Sequence, residues 1–409
     1  MIRPGAAQGA APPRGAWSAV GAGFAVLFVC TGVNQSFGIL FKPILNEFGG
    51  DRGTLSFAAT ASLLVYALSQ LFFGPLIDRF GPRRVMLPSM ALMVLGTALV
   101  STAGSPWQMT LLYGVVAAVG YTGTGILPVS VYVARWFPGR GGFPMAVAAT
   151  GFSLGHLVFT QVAAHAAEAM GWRRTYLLLA VLLLIGLAAF AVWLREPPRL
   201  PVASGPPETA AAQSGSLNRR AAMATAAFWW MTAAYIGCGF TDFLIVTHLA
   251  PFASDLGLGQ ARAANALSLL AAANIAGILG AGSASDRLGT RRALAITYGL
   301  RAASLCFLFL VRETWELYLF AVLFGATFFT TAPLSSAFVG ELFGPRHQGS
   351  IFGAANMFHH FGAALGAYAG GLAFDLTQSY RGVFIASAVL VAASAAVTAV
   401  PRPPRRPSR

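Results

Sequence analysis

Charge is what this sequence has least of. Asp, Glu, Lys and Arg make up 10% of it, and the acids number 13 in 409 residues, where soluble globular chains carry about 25% charged residues. With 56% apolar residues such a chain cannot cover a water-facing surface, which excludes an ordinary soluble domain. Cysteine is scarce too. Cys30, Cys238 and Cys306 all fall inside apolar runs, so small buried hydrophobes are expected rather than a disulfide framework. No phosphate loop, metal-spaced His/Cys cluster or nucleophile triad stands out, so no enzyme, metal or cofactor is expected. The net charge of +14 could suit a nucleic acid, but no basic stripe interleaved with aromatics supports one.

What the chain has instead is apolar length. Twelve segments, 17–41, 54–77, 85–103, 107–134, 143–165, 174–194, 224–250, 263–284, 293–311, 315–340, 350–374 and 380–400, each approach the roughly 20 residues that cross a bilayer. Only helices satisfy their own backbone there, so an all-α integral membrane protein of twelve transmembrane helices is expected. The first run is too long for a signal-peptide core and reads as helix 1. With the loops numbered from the N-terminal side, nineteen arginines fall on that side and seven basic residues on the other. That bias predicts both termini in the cytoplasm, in a cell inner membrane.

Residues 195–221, rich in Pro, Ser and Gly, are the one long polar interruption. They read as a cytoplasmic linker between an N-terminal six-helix bundle, 1–194, and a C-terminal one, 222–409. Across it the sequence repeats. Gly74-Pro-Leu-Ile-Asp78-Arg79-Phe-Gly81-Pro-Arg83-Arg84 returns 208 residues later as Gly282-Ser-Ala-Ser-Asp286-Arg287-Leu-Gly289-Thr-Arg291-Arg292. The same shift carries Cys30 to Cys238, Asn34 to Asp242, Pro43 to Pro251, Gly49 to Gly257 and Trp107 to Trp315. A constant offset means duplication, and an even number of helices per repeat makes the two halves parallel.

The doubled G-x-x-x-D-R-x-G-x-R-R loop resembles the signature of the major facilitator superfamily. That resemblance implies two six-helix bundles and alternating access to a central cavity. Asp78 and Asp286 would then face helix N-termini and form gates on the cytoplasmic side. Arg135-Trp136-Phe137, the small-residue run to Gly155, Gly171-Trp172-Arg173, Phe41-Lys42 and Phe343 to Gly353 are similar to bacterial members of the monocarboxylate transporter family. This implies secondary active transport of small organic anions, often with protons as symport. The sequence departs from that family in segment 263–284, where Asn265 and Asn274 stand instead of an Asp and an Arg, and at Gln35, where the family has a Lys. The alternative is a proton-coupled drug or metabolite exporter of the same fold; a receptor or scaffold fits a doubled gate motif poorly.

Polar residues at membrane depth are costly and so become site candidates. Asp242 is the only acid well inside a span; partly desolvated, it could take up and release a proton, or it could simply pair with Arg301 or His248. Arg301 offers a fork of donors to a carboxylate or a structural tie to a neighbouring helix. His248, His359, His360 and His156 could carry a proton or bind an anion, while Asn34, Tyr66, Tyr121, Gln161, Asn274 and Asn356 could hydrogen-bond a substrate or join helices. Gly362, Gly366 and Gly370 recur every four residues, a spacing that suits close helix packing.

Overall fold

The computed structural model describes residues 13, 15–48, 52–137, 142–195, 216–258 and 260–400. Most of the 195–221 linker, Gly49, and Arg3, Arg14, Arg140, Arg199, Arg402, Arg405, Arg406 and Arg409 lie outside these residues. Every regular element among the described residues is helical: α1 Ala16–Gln35, α2 Phe37–Phe48, α3 Arg52–Phe80, α4 Pro82–Val100, α5 Pro106–Met109, a π-helical stretch Thr110–Ala117, α6 Ala118–Thr122, α7 Ile126–Trp136 and α8 Gly142–Trp193 in the first part. The second part holds α9 Arg219–Met223, α10 Ala226–Asp255, α11 Gln260–Leu288, α12 Thr290–Phe307, α13 Thr314–Gly325, α14 Thr331–Phe343, α15 Gln348–Thr377 and α16 Arg381–Ala399.

These helices are consistent with twelve crossings, although they do not map onto them one to one. Among the described residues nine helices are long and apolar enough to span a membrane. One of them, α8, has 52 residues and contains two predicted spans, with the chain turning at Gly171. Its φ of 79° lies where only glycine is at ease. Gly81 and Gly289, at φ 88° and 86°, make the equivalent turns before α4 and α12, which explains the glycine in the middle of both copies of the repeated loop.

Spans four and ten, expected as continuous helices over 107–134 and 315–340, are each interrupted. The first unwinds at Gly123–Gly125 between α6 and α7, and the second over residues 326–330 between α13 and α14. Local chemistry accounts for both. Thr124 and Thr327 turn their hydroxyls onto carbonyls three residues back, at Tyr121 (3.2 Å) and Phe324 (2.8 Å), which competes with the helical ladder. Pro128 and Pro333 follow, each removing an N–H and crowding the carbonyl four residues earlier.

The chain forms two compact units. One comprises the described residues of Met1–Gly139, Val147–Ser204 and Arg346–Gly353; the other comprises those of Arg140–Ala146, Gly205–Pro345 and Ala354–Arg409. In the second unit α12 packs along α16, and α11 along α13; in the first, α3 and α4 pack against the π-helical stretch.

Candidate proton and substrate site

The buried charges of the second unit meet at one point. Arg301, on α12, is fully buried, and its Nη1 lies 2.8 Å from Oδ1 of Asp242 on α10, itself only 4% exposed. The two partners are unequally satisfied. Arg301 Nε donates to Thr327 Oγ1 at 3.3 Å, and Nη2 donates to the carbonyls of Thr327 and Phe328. Nη1 also approaches Cys238 Sγ at 2.8 Å, and the guanidinium stands 5.4 Å from the Phe324 ring. Asp242 has far less. Its Oδ1 has no hydrogen bond, so the ion pair there is close but poorly directed, and its Oδ2 accepts from the Cys238 thiol at 3.3 Å. A thiol is a weak donor. A buried, under-bonded carboxylate is the member of such a pair whose charge a single proton can remove.

Cys238 is therefore more than the small hydrophobe expected from its apolar surroundings: its sulfur links Asp242, Arg301 and Thr331, the last at 2.9 Å. Cys306, also expected to be buried, is exposed. The repeat identifies the counterpart of the network in the first unit. Shifting Arg301 back by 208 residues gives Met93, which is buried and receives the Thr124 hydroxyl on its sulfur at 4.0 Å. Cys30 stands for Cys238 and half-buried Asn34 for Asp242, so this corner is built twice and charged once.

The other candidates make their hydrogen bonds outside this pair. Asn274 donates to the Gly325 carbonyl at 3.2 Å, at the end of α13. His359 has its Nδ1 2.9 Å from the Tyr235 carbonyl and stacks on the Tyr235 ring at 4.2 Å, while Tyr235 donates to Asn356 at 2.8 Å. His360 bonds the carbonyl of Asn356, and His248 that of Ala367, at 2.8 and 2.9 Å. Tyr235 carried no sequence signal, being an aromatic in an apolar run. In the first unit Tyr121 stacks on Tyr66 at 5.2 Å, with its hydroxyl 3.4 Å from Thr31, and the Asn34 carbonyl accepts from Tyr113. His156 and Gln161 are exposed.

Both repeated loops hold a helix N-terminus. Asp78 accepts from Gly349 N at 2.9 Å, Ser350 N at 2.7 Å and the Ser350 hydroxyl, at the start of α15. Asp286 accepts from Gly142 N at 3.1 Å and Phe143 N at 3.0 Å, at the start of α8. Amide groups that have no helical partner there suit a carboxylate. Gly74 and Gly282 lie one turn earlier; a Cβ on Gly74 would come within 2.5 Å of the Gly349 carbonyl, and one on Gly282 within 2.9 Å of the Gly142 carbonyl. Of the flanking arginines, Arg83 donates to the Ala191 carbonyl at 3.0 Å and Arg79 lies 5.0 Å from the Phe80 ring, while Arg287 is exposed and Arg291 half-buried.

The sequence matches the Major Facilitator Superfamily over residues 23–283 and 232–409. It is 26% identical to the uncharacterized transporter YcxA of Bacillus subtilis, covering 95% of this chain and 96% of that one. It is 25% identical to the oxalate:formate antiporter of Oxalobacter formigenes (84% and 82% covered) and 26% to monocarboxylate transporter 13 of Rattus norvegicus (95% and 90%). Among solved structures, FucP in its outward conformation has the same fold, with a TM-score of 0.74 at 14% identity over 93% of this chain and 97% of that one. With the doubled G-x-x-x-D-R-x-G-x-R-R loop, the spanning helices and a match over nearly its full length, the chain belongs to the major facilitator superfamily and is a multi-pass membrane transporter, not an enzyme.

Proposed function

We propose that this transporter moves small organic anions, monocarboxylates first among them, across the cytoplasmic membrane by alternating access, and that Asp242 carries the coupled proton. The observation that carries this reading is the inequality within the buried pair: Asp242 has only the guanidinium and the weakly donating Cys238 thiol as partners, whereas Arg301 is also tied to Thr327 and Phe328. Arg301 is then the counter-charge, and the acid is the group that titrates. The choice of substrate rests on likeness to an oxalate:formate antiporter and to monocarboxylate transporters. In this reading the halves 1–194 and 222–409 flank a cytoplasmic linker, and both termini are cytoplasmic, on the distribution of the arginines. Asp78 and Asp286 let go of their helix N-termini when the cytoplasmic side opens. Tyr121, Asn34, Asn274, His248 and His359 serve as polar groups along the substrate path.

The test is proton flux in proteoliposomes driven by a gradient of lactate or formate. Wild type should acidify the lumen as the anion enters, and Asp242→Asn should retain fold and binding but lose the coupled pH change. Undiminished coupling in Asp242→Asn would sink the assignment. Competition by lipophilic cations, with none by carboxylates, would favour the exporter reading instead.

A further inference from the structure

The interruption of the tenth span leaves carbonyls without the amide four residues on that a continuous helix would supply. In hydrocarbon such groups need other partners. Arg301, on α12, provides them for Thr327 and Phe328, its Nη2 donating to both carbonyls while its Nε donates to the Thr327 hydroxyl; Asn274, on α11, adds a second donor to the Gly325 carbonyl, which already accepts from Phe328 N at 3.1 Å. The same guanidinium is the counter-charge of Asp242. One buried cation thus does two things at once, neutralising an acid on α10 and capping the break between α13 and α14.

We propose that Arg301 is a positioning residue that transmits the protonation of Asp242 to the 326–330 break, so that the break loosens when the acid is protonated. This rests on the reading of Asp242 as the proton site. The direction follows from charge. With Asp242 ionised the pair is neutral overall and the guanidinium can stay dry. With Asp242 protonated the guanidinium is an uncompensated buried cation, which is costly until water reaches it. Water enters most easily where the backbone is not helical, and that is the stretch Arg301 holds. The other titratable groups facing the acid are Cys238 on its own helix and Tyr298 on α12, with His359 facing the pair from α15. The charged residues of α11, α14 and α16 (Arg262, Asp286, Arg287, Glu341 and Arg381) sit in the terminal turns of those helices.

The first unit supplies an internal control. Its fourth span is broken at Gly123–Gly125, yet Met93 stands where Arg301 does and Asn34 where Asp242 does. That break has no charge to respond to a proton.

The experiment is hydrogen–deuterium exchange on the full-length protein in nanodiscs, without substrate, across about pH 5 to 8 and corrected for intrinsic exchange rates. Exchange over 326–332 should rise about tenfold on acidification, the change expected from loss of one charge-assisted contact, while 120–126 stays level. Asp242→Asn should exchange fast over 326–332 at every pH. Arg301→Lys, which keeps the charge but cannot grip both carbonyls and the acid, should also lose the pH response. A level wild-type profile, a parallel rise in both breaks, or a wild-type response surviving in either variant overturns the inference. A responsive break in a protein with no carboxylate-driven proton flux would leave this inference standing and remove the substrate reading; flux with a level break would do the reverse.

Discussion

Asp78 and Asp286 occupy matching places in the repeat, yet their surroundings predict unequal effects when each is changed to Asn. Asp78 is half-buried and accepts from two amides and a hydroxyl, whereas Asp286 is exposed and accepts from two amides. Asn keeps one acceptor oxygen and turns an NH2 group toward the second N–H. At Asp78 this forfeits about 1 kcal/mol of charge–dipole attraction and strands a donor at about 1–3 kcal/mol, for a total of about 2–4 kcal/mol. At Asp286 water can replace what is lost, so about 1 kcal/mol or less is expected. Thermal denaturation in detergent should therefore rank Asp78→Asn well below Asp286→Asn. A double-mutant cycle with Ser350→Ala should show about 1 kcal/mol of coupling to Asp78, because the hydroxyl has no purpose at that site without the carboxylate. Equal losses at the two aspartates, or strict additivity in the cycle, would refute the reasoning.

Arg301→Met alone leaves Asp242 as an unpaired buried acid and should cost about 3–5 kcal/mol; adding Asp242→Asn should recover the part of that loss due to the unpaired acid but not the part due to the uncapped Thr327 and Phe328 carbonyls, while proton-coupled flux stays absent. Arg173 donates to Glu47 at 2.7 Å and to the Ser101 and Ala103 carbonyls at 2.8 and 2.7 Å, and lies over the Trp172 ring. Arg173→Lys should lower the midpoint nearly as far as Arg173→Ala, since a single ammonium cannot reproduce that fork, whereas similar stability of Arg173→Lys and wild type would mean the partly exposed ion pair with Glu47 is the only contact that counts.

Composition and the 208-residue shift were enough to read the helical membrane fold and to pick out the two repeated loops, because hydropathy over 20 residues and a doubled motif are signals integrated over many positions. The breaks in spans four and ten were not legible, since Thr124, Thr327, Pro128 and Pro333 act one residue at a time inside runs whose hydropathy hardly changes. The site was half legible. Asp242 and Arg301 stood out because ionisable groups at depth are rare, but they lie 59 positions apart on different helices, and sequence alone left their pairing as one alternative among several. Cys238 reads in the sequence only as a small buried hydrophobe, and Thr327 and Thr331 carry no signal, because thiols and threonines are ordinary in apolar helices. The 208-residue shift does single out Arg301: its partner is Met93, a replacement that removes both charge and donors.

That replacement bears on why the ion pair exists. If the corner between the first and third helices of each half needed a salt bridge to fold, the first half would need it too. It closes the equivalent space with Cys30, Met93 and Thr124, all uncharged. A buried ion pair is often no more stabilising than apolar residues of similar volume, and here the apolar version is present in the same molecule. On the proposed reading, the pair in the second half adds something other than stability: a charge that one proton would remove, connected through a single guanidinium to the 326–330 break of the tenth span. Confining it to one half avoids a second desolvation cost at the uncharged Asn34 position and, on the reading proposed above, gives an otherwise repeated scaffold a proton site in one half alone.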